Sequence, residues 1–295
     1  MHAAVDEQAT SWTFAEGEEI VPGRHAVRLL GGGTRHEAYL AWDTRLHWLV
    51  VVKLLRPAAA DEGARAALRA EGDALAALAH PALPRLFGGD PAGERPHLVL
   101  EHLDGPRLST VIRRYRPALE QALPLALSLC AVLHYLRDEG WVHLDVKPKN
   151  VILGAPPRLI DLSIARPLDT VDAIASPLGT DAYMAPEQCD PARFGLLGPA
   201  TDVWGLGVTL YETLARRRPF PEPDPSAPDL ARRYPQTACT PEPLPREVPA
   251  EVAGYVLACL APEPADRPAP DELAAGLQQV EARLPRPRLG RFRPS

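Results

Sequence analysis

His143-Leu144-Asp145-Val146-Lys147-Pro148-Lys149-Asn150 is the stretch on which the reading of this chain turns. It packs an acid, an amine and an amide into one short segment. Asp145 can accept a proton from an attacking hydroxyl. Lys147 can neutralise charge on a phosphoryl group in transit, and Asn150 offers an oxygen to a hard cation such as Mg²⁺. Pro148 does not fit inside a helix or a central strand, so the segment reads as a rigid loop. A strand-like run follows, Val151-Ile152-Leu153, and Arg158-Leu159-Ile160-Asp161 then brings a second carboxylate at a strand end. Two carboxylates and an amide around a loop suit phosphoryl transfer, in which positioning and charge neutralisation supply most of the catalysis. Singly, Asp145 and Asn150 would read as turn-forming residues; the whole constellation exceeds that explanation.

Size and composition set the frame. The chain has 295 residues, enough for one large two-lobed domain or two small ones. Hydrophobic residues make up 46%, which supports a substantial core. The net charge of -6 argues against a general nucleic-acid binder. Cys130, Cys189, Cys239 and Cys259 form no C-x-x-C pair, so neither a zinc site nor a disulfide framework is expected, and reduced thiols in a cytoplasmic protein are. Asp6, Glu7, Glu16, Glu18 and Glu19 near the N-terminus do not make a signal-peptide pattern. No uninterrupted apolar run reaches membrane-spanning length, and Leu123 to Leu136 reads as a buried core helix.

Outward from the loop toward the N-terminus, residues 1–17 read as a loose leader, and a strand-rich region begins at Ile20. Leu29-Leu30 precedes Gly31-Gly32-Gly33-Thr34-Arg35-His36-Glu37-Ala38, and Tyr39-Leu40-Ala41-Trp42 follows. Glycines between two strand-like runs make a hairpin whose amides can approach phosphates. His36 at the tip reads as an exposed residue. Val50 to Leu55 is an apolar run broken by Lys53 and predicts a buried strand. A lone lysine there is costly unless a carboxylate pairs with it. Glu62 to Ala79 reads as a helix, with Leu68, Leu75 and Leu78 forming a stripe near Glu71. Glu62 suits the positive end of the helix dipole. Leu83 to Phe87 and His97 to Leu100 read as further strands, with Gly88-Gly89 in the loop between them.

Toward the C-terminus, Leu108 to Tyr115 and Leu119 to Glu139 read as helices, the second stopped by Gly140. Asp202 opens an apolar helix and could act as its N-cap. Residues 216–251 are proline-rich and predict an irregular connection with one short helix near Asp229. Val252 to Leu260 and Pro270 to Leu284 read as closing helices. The tail, 285–295, carries four arginines and no acid, and reads as a solvated end.

The motif H-x-D-x-K-P-x-N followed by D-x-x resembles the protein kinase family, and its central lysine resembles the Ser/Thr branch. The resemblance covers about Ile20 to Leu284, and its style is similar to bacterial, eukaryotic-like Ser/Thr kinases. It implies an α+β, two-lobed fold. The kinase domain would span 18–284, with a small β-rich N-lobe to about 100, a hinge at 101–104 and a larger, mainly helical C-lobe over 105–284. It implies transfer of the ATP γ-phosphoryl group to Ser or Thr hydroxyls of a protein substrate, with Mg²⁺ (or Mn²⁺) as the metal. Asp145 would orient and deprotonate the hydroxyl, and Lys147 would stabilise the phosphoryl group. Asn150 and Asp161 would hold the metal, while Lys53, aligned by Glu71, would hold the α- and β-phosphates.

Gly31 and Gly33 match the first two glycines of the family's G-x-G-x-x-G-x-V loop; His36 stands at the third and Ala38 at the valine that covers the adenine. Backbone groups of Glu101 and Leu103 would bond the adenine, beside Leu100 and Ile152. Asp104 would reach the ribose or make the turn. Asp161-Leu162-Ser163 stands where the family has D-F-G. The activation segment would run through Thr170, Ser176 and Thr180 to Ala185-Pro186-Glu187, with Arg267 as the buried partner of Glu187. Asp202 would bond the catalytic-loop backbone. Leu144 replaces the arginine that in many kinases binds an activation-segment phosphate. The charge argues against a nucleic-acid partner and the hydropathy against a membrane span in this chain, and a homodimer is left open. The same fold also admits a pseudokinase serving as an ATP-binding scaffold, or a small-molecule phosphotransferase.

Overall fold

Alternation of apolar residues at a period of two builds the first layer. The computed structural model describes residues 11–174 and 176–284; the first ten residues of the expected leader and the arginine-rich tail lie outside them. Strands β1 (Glu19–Val21), β2 (Arg24–Gly32), β3 (His36–Asp43), β4 (Trp48–Leu55), β5 (Leu86–Asp90) and β6 (His97–Glu101) form one antiparallel sheet in the order β1-β2-β3-β4-β6-β5. Tyr39 lies opposite Val52 and Ala41 opposite Val50. With Ile20, Leu54 and Val99 they form the core of one sheet face. Lys53 lies opposite Leu98 and Ala38, on the other face.

Helix α1 (Glu62–Ala77) covers that other face. The Asp61 side chain caps it by accepting from Ala64 N at 2.7 Å, which leaves Glu62 in the first turn. Leu68, Glu71 and Leu75 recur at helical spacing and are buried toward the sheet. A carboxylate is thereby carried inward among leucines, in front of the strand that holds Lys53.

The second lobe is helical. It contains α2 (Leu108–Arg114), α3 (Leu119–Asp138), the short α4 (Pro186–Cys189) and α5 (Pro191–Phe194), α6 (Pro199–Ala215), α7 (Leu230–Arg233), α8 (Ala250–Ala258) and α9 (Pro270–Glu281). By length and composition alone α3 could cross a bilayer, at 20 residues and a mean hydropathy of 1.4 over its most apolar window. In the fold it is the central core helix expected from Leu123 to Leu136: it packs on α6 and α9 and buries Leu123, Leu129, Leu133 and Leu136. Two small antiparallel pairs complete the lobe: β7 (Trp141–Val142) with β10 (Arg166–Pro167), and β8 (Val151–Ile152) with β9 (Arg158–Leu159). They bracket the loop from His143 to Asn150.

Three expectations need correction. The part of the leader that is described, from Ser11 on, is not loose: Trp12 and Phe14 pack on the core formed by Ile20, Tyr39 and Val52. Trp12 Nε1 donates to Leu55 O at 2.8 Å, its backbone N–H donates to Glu37 Oε2 at 3.2 Å, and the Arg95 guanidinium lies over both rings. Among the described residues no helix packs on that sheet face, and the aromatic pair shields it. The strand expected at 83–87 is β5, shifted to Leu86–Asp90; Gly88 and Gly89 lie inside it rather than in a loop, paired with Val99 and Leu98 just after a register slip at Phe87 on this edge strand. Asp202 does not cap α6, whose N-cap is Gly198.

Trp12→Ala should lower the unfolding free energy by about 2–3 kcal/mol, since it removes a half-buried ring and its partly buried hydrogen bond to Leu55 O. Equilibrium urea unfolding of the two proteins is the check; an unchanged midpoint would mean that the segment from Ser11 merely rests on the lobe.

Candidate active site

The lysine in the apolar strand determines the first part of the site. Lys53 on β4 meets Glu71 on α1 with Nζ to Oε1 and Oε2 at 2.7 and 2.8 Å. The same ammonium reaches Asp161 Oδ1, in the other lobe, at 2.9 Å. Burial works to lower the Lys53 pKa, but Glu71 and Asp161 outweigh it and hold the ammonium above its ordinary range. Burial likewise opposes ionisation of Asp161, and Lys53, helped by the Ser163 hydroxyl, holds that carboxyl below the usual range. Glu62 takes no part. Asp161 has φ +71°, a left-handed backbone that turns the chain sharply after β9.

The second part is the loop itself. Thr180 Oγ1 donates to Asp145 Oδ1 at 2.9 Å, while Lys147 Nζ donates to Asp145 Oδ2 and to Thr180 Oγ1, both at 2.5 Å. Asn150 Nδ2 donates to the Asp145 carbonyl and to Oδ2, each at 3.0 Å. The carboxylate is thus held in one orientation by three side chains. From beneath, Asp202 accepts from His143 N and Leu144 N, both at 2.7 Å. This is the backbone bond that Asp202 was expected to make. Gly205, one turn along α6, lets the loop come this close: a Cβ there would lie 2.8 Å from Val146 O.

Around the loop the segment from Asp161 to Glu187 is tied down at several points. Arg267 makes a two-pronged pair with Glu187, at 2.6 and 2.8 Å, with both side chains fully buried. Gln188 was given no role by the sequence reading. Its Nε2 donates to Leu144 O at 3.0 Å and to Leu178 O at 2.7 Å, which joins the segment to the loop from His143 to Asn150. Its position directly after Ala185-Pro186-Glu187 was the only available signal. Leu144 is buried against Val142 and Val171, with Ile164, Leu168, Ile174, Leu178 and Leu197 around them. Thr170 lies in a 3-10 turn and donates to Pro167 O at 2.8 Å; Ser176 is exposed.

The expected adenine groups are more dispersed. Ala38 sits on β3 opposite Lys53, and Ile152 on β8 in the helical lobe. Glu101 ends β6, and its N–H is engaged by Arg85 O at 2.9 Å; Leu103 is half-buried in the connection that follows. Gly31, at φ +137°, and Gly32 belong to β2, and Gly33 N donates to His36 O at 2.9 Å to close the hairpin. Gly32 is a further residue that the sequence did not single out; a Cβ on it would lie 2.4 Å from His36 O. His36 is half-buried on the cleft side rather than exposed.

A divalent cation fits this donor set in one particular way. Among the described residues no group of three or more His, Cys, Asp or Glu side chains is placed to hold a metal ion by itself. Asp161 and Asn150 are left as one carboxylate and one amide. Mg²⁺ commonly binds through one or two carboxylates together with substrate phosphates rather than in an all-protein cage. Both residues fit that mode.

The comparisons with known proteins agree with this architecture. The family model for the protein kinase domain matches residues 24–276. The chain is 34% identical over 204 residues to the serine/threonine-protein kinase PknB of Mycobacterium tuberculosis, an alignment covering 65% of this chain and 32% of that protein. It is 33% identical over 218 residues to the serine/threonine-protein kinase pkn2 of Myxococcus xanthus, covering 70% of this chain and 26% of that protein. The aligned region therefore spans about a third or less of these relatives' length. With a β-sheet lobe, a helical lobe and this match over most of its length, the chain belongs to the protein kinase family.

Proposed function

We propose that the chain is an ATP-dependent Ser/Thr protein kinase, with Asp145 as the group that receives the substrate hydroxyl. The observation that carries this reading is the Asp145–Lys147–Thr180 cluster. It presents an oriented carboxylate next to an ammonium, at the point where the activation segment meets the catalytic loop. The hydroxyl oxygen attacks the γ-phosphorus, the bond to the ADP oxygen breaks, and Asp145 takes the proton. Lys147 compensates charge on the transferring group, and Lys53 holds the α- and β-phosphates while Glu71 holds Lys53. Asn150 and Asp161 would hold Mg²⁺, which when bound neutralises phosphate charge. The bond from Thr180 to Asp145 and the names of the relatives support a protein Ser or Thr as acceptor.

Asp145→Asn keeps the shape of the loop and removes its base. It should cut single-turnover transfer to a generic protein acceptor by about 10²–10⁴-fold, while ATP still binds. Undiminished transfer from radiolabelled ATP would remove Asp145 from the chemistry.

Lys53→Met and Glu71→Gln should each cripple transfer, and the double variant should be little worse than the weaker single one, because residues that share one interaction do not add. Losses that add in full in kcat/KM would show that the two act separately.

Leu144 offers no donor to a phosphate on the activation segment. The segment is held instead by the apolar cluster around Leu144, by Gln188 and by the Glu187–Arg267 pair. Phosphatase-treated wild type, and Thr170→Ala combined with Ser176→Ala, should keep most of the activity. A drop beyond about tenfold in both, or about 1.4 kcal/mol in the barrier, would show that phosphorylation there orders the segment.

A further inference from the structure

Strand alternation puts His36 in a place that its sequence position alone does not reveal. Ala38 and Lys53 are cross-strand partners and so share a face of the sheet. His36, two residues before Ala38 on β3, shares it too. This is the face on which Lys53 reaches Glu71 and Asp161. The neighbours that point the other way, Glu37 and Tyr39, are each 1% exposed, in the opposite core. His36 is half-buried, and the charges of Lys53 and Asp161 both act on its ring.

The hairpin backbone holds His36 there and, in doing so, gives up a donor. Gly33 N is engaged by His36 O at 2.9 Å. That tip amide is therefore turned back onto the hairpin. Gly32 leaves no room for a side chain against the same carbonyl, since its Cβ would lie 2.4 Å away. The tip is thus closed by a bond to residue 36 itself, and the polar group that residue 36 adds to the cleft is an imidazole.

We propose that the His36 side chain is a phosphate-binding group, its imidazole N–H donating to the phosphate chain of ATP beside Lys53 in place of a loop amide. The inference rests on the kinase reading above. Burial, and then the neighbouring Lys53, lower the His36 pKa to about 4, so the ring is neutral at physiological pH and carries one N–H. A neutral donor there adds a hydrogen bond without placing a second buried cation beside Lys53, which would repel it.

The test is calorimetric titration of ATP and of adenosine into wild type, His36→Ala, His36→Phe and His36→Gln. Phenylalanine keeps the ring and removes the donor; glutamine removes the ring and keeps a donor. His36→Ala and His36→Phe should weaken ATP about tenfold, the scale of one hydrogen bond to a charged group, with adenosine changed less than twofold. His36→Gln should stay within about threefold of wild type for ATP, by the same scale. If wild type binds ATP and the alanine and phenylalanine variants bind it equally well, the inference falls and the kinase reading stands. Parallel weakening of adenosine and ATP would also overturn it, since His36 would then only shape the pocket. If wild type itself binds no ATP, the kinase reading falls and the inference with it.

Discussion

Lys53 is the constraint on which the rest of the structure depends. An ammonium in an apolar strand is very costly alone, and removing one partner of such a buried pair typically costs about 3–5 kcal/mol. The chain meets that cost with two carboxylates from distant segments. Glu71 comes from α1 and Asp161 from the other lobe. One cation therefore holds the helix against the sheet and the sheet against the helical lobe. Glu71 is almost completely buried, so α1 cannot rotate outward without stranding a charge. The register of β4, the face of α1 and the turn at Asp161 are three local features that a single ammonium makes interdependent.

A second buried pair does for the helical lobe what Lys53 does for the sheet. The guanidinium of Arg267 is shared among Glu187 and the carbonyls of Ala200, Ala261 and Pro262, and Thr201 donates to Glu187. The charges are matched and the planar fork of donors is well supplied with acceptors, which is the condition under which a buried pair is tolerated. Its position matters more than its net energy. It fixes the far end of the activation segment to the base of α6, and α6 also carries Asp202, which holds the catalytic loop from below. Two flexible-looking stretches of sequence are thus suspended from one rigid helix. Leu144 and its apolar neighbours fill the space between them, so the segment is positioned by packing where an ion pair could have done the work.

Much of this was legible in the sequence, for identifiable reasons. The lysine in Val50 to Leu55, the helix stripe near Glu71 and the loop from His143 to Asn150 rest on short motifs or simple periodicity, while the pairing of Lys53 with Glu71 and of Glu187 with Arg267 was implied by the resemblance to the kinase family. Helix ends fell within a few residues of their predicted places, as at Gly140, which follows the last turn of α3. The misreadings share a cause: each concerned a residue whose partner is remote in sequence. Trp12 was assigned to a loose leader because nothing near it in sequence shows that its ring packs on the sheet face formed by Ile20, Tyr39 and Val52. Gln188 has its partners at Leu144 and Leu178. Gly88 and Gly89 read as a loop because their pairing with Val99 and Leu98 becomes visible only against the partner strand.

By itself the sequence determined the chemical inventory and the local elements. Asp145, Lys147, Asn150, Asp161 and Lys53 bear the right groups, and hydrophobic period and capping residues set the strands and helices, because these depend on neighbours within a turn or two. Only the tertiary structure decided which groups meet and in what orientation. It set Lys53 between two carboxylates, turned Asp202 toward the loop backbone rather than its own helix end, and brought His36 to the cleft face instead of the solvent. Those outcomes depend on strand register and lobe packing, which are set by the simultaneous burial of side chains far apart along the chain.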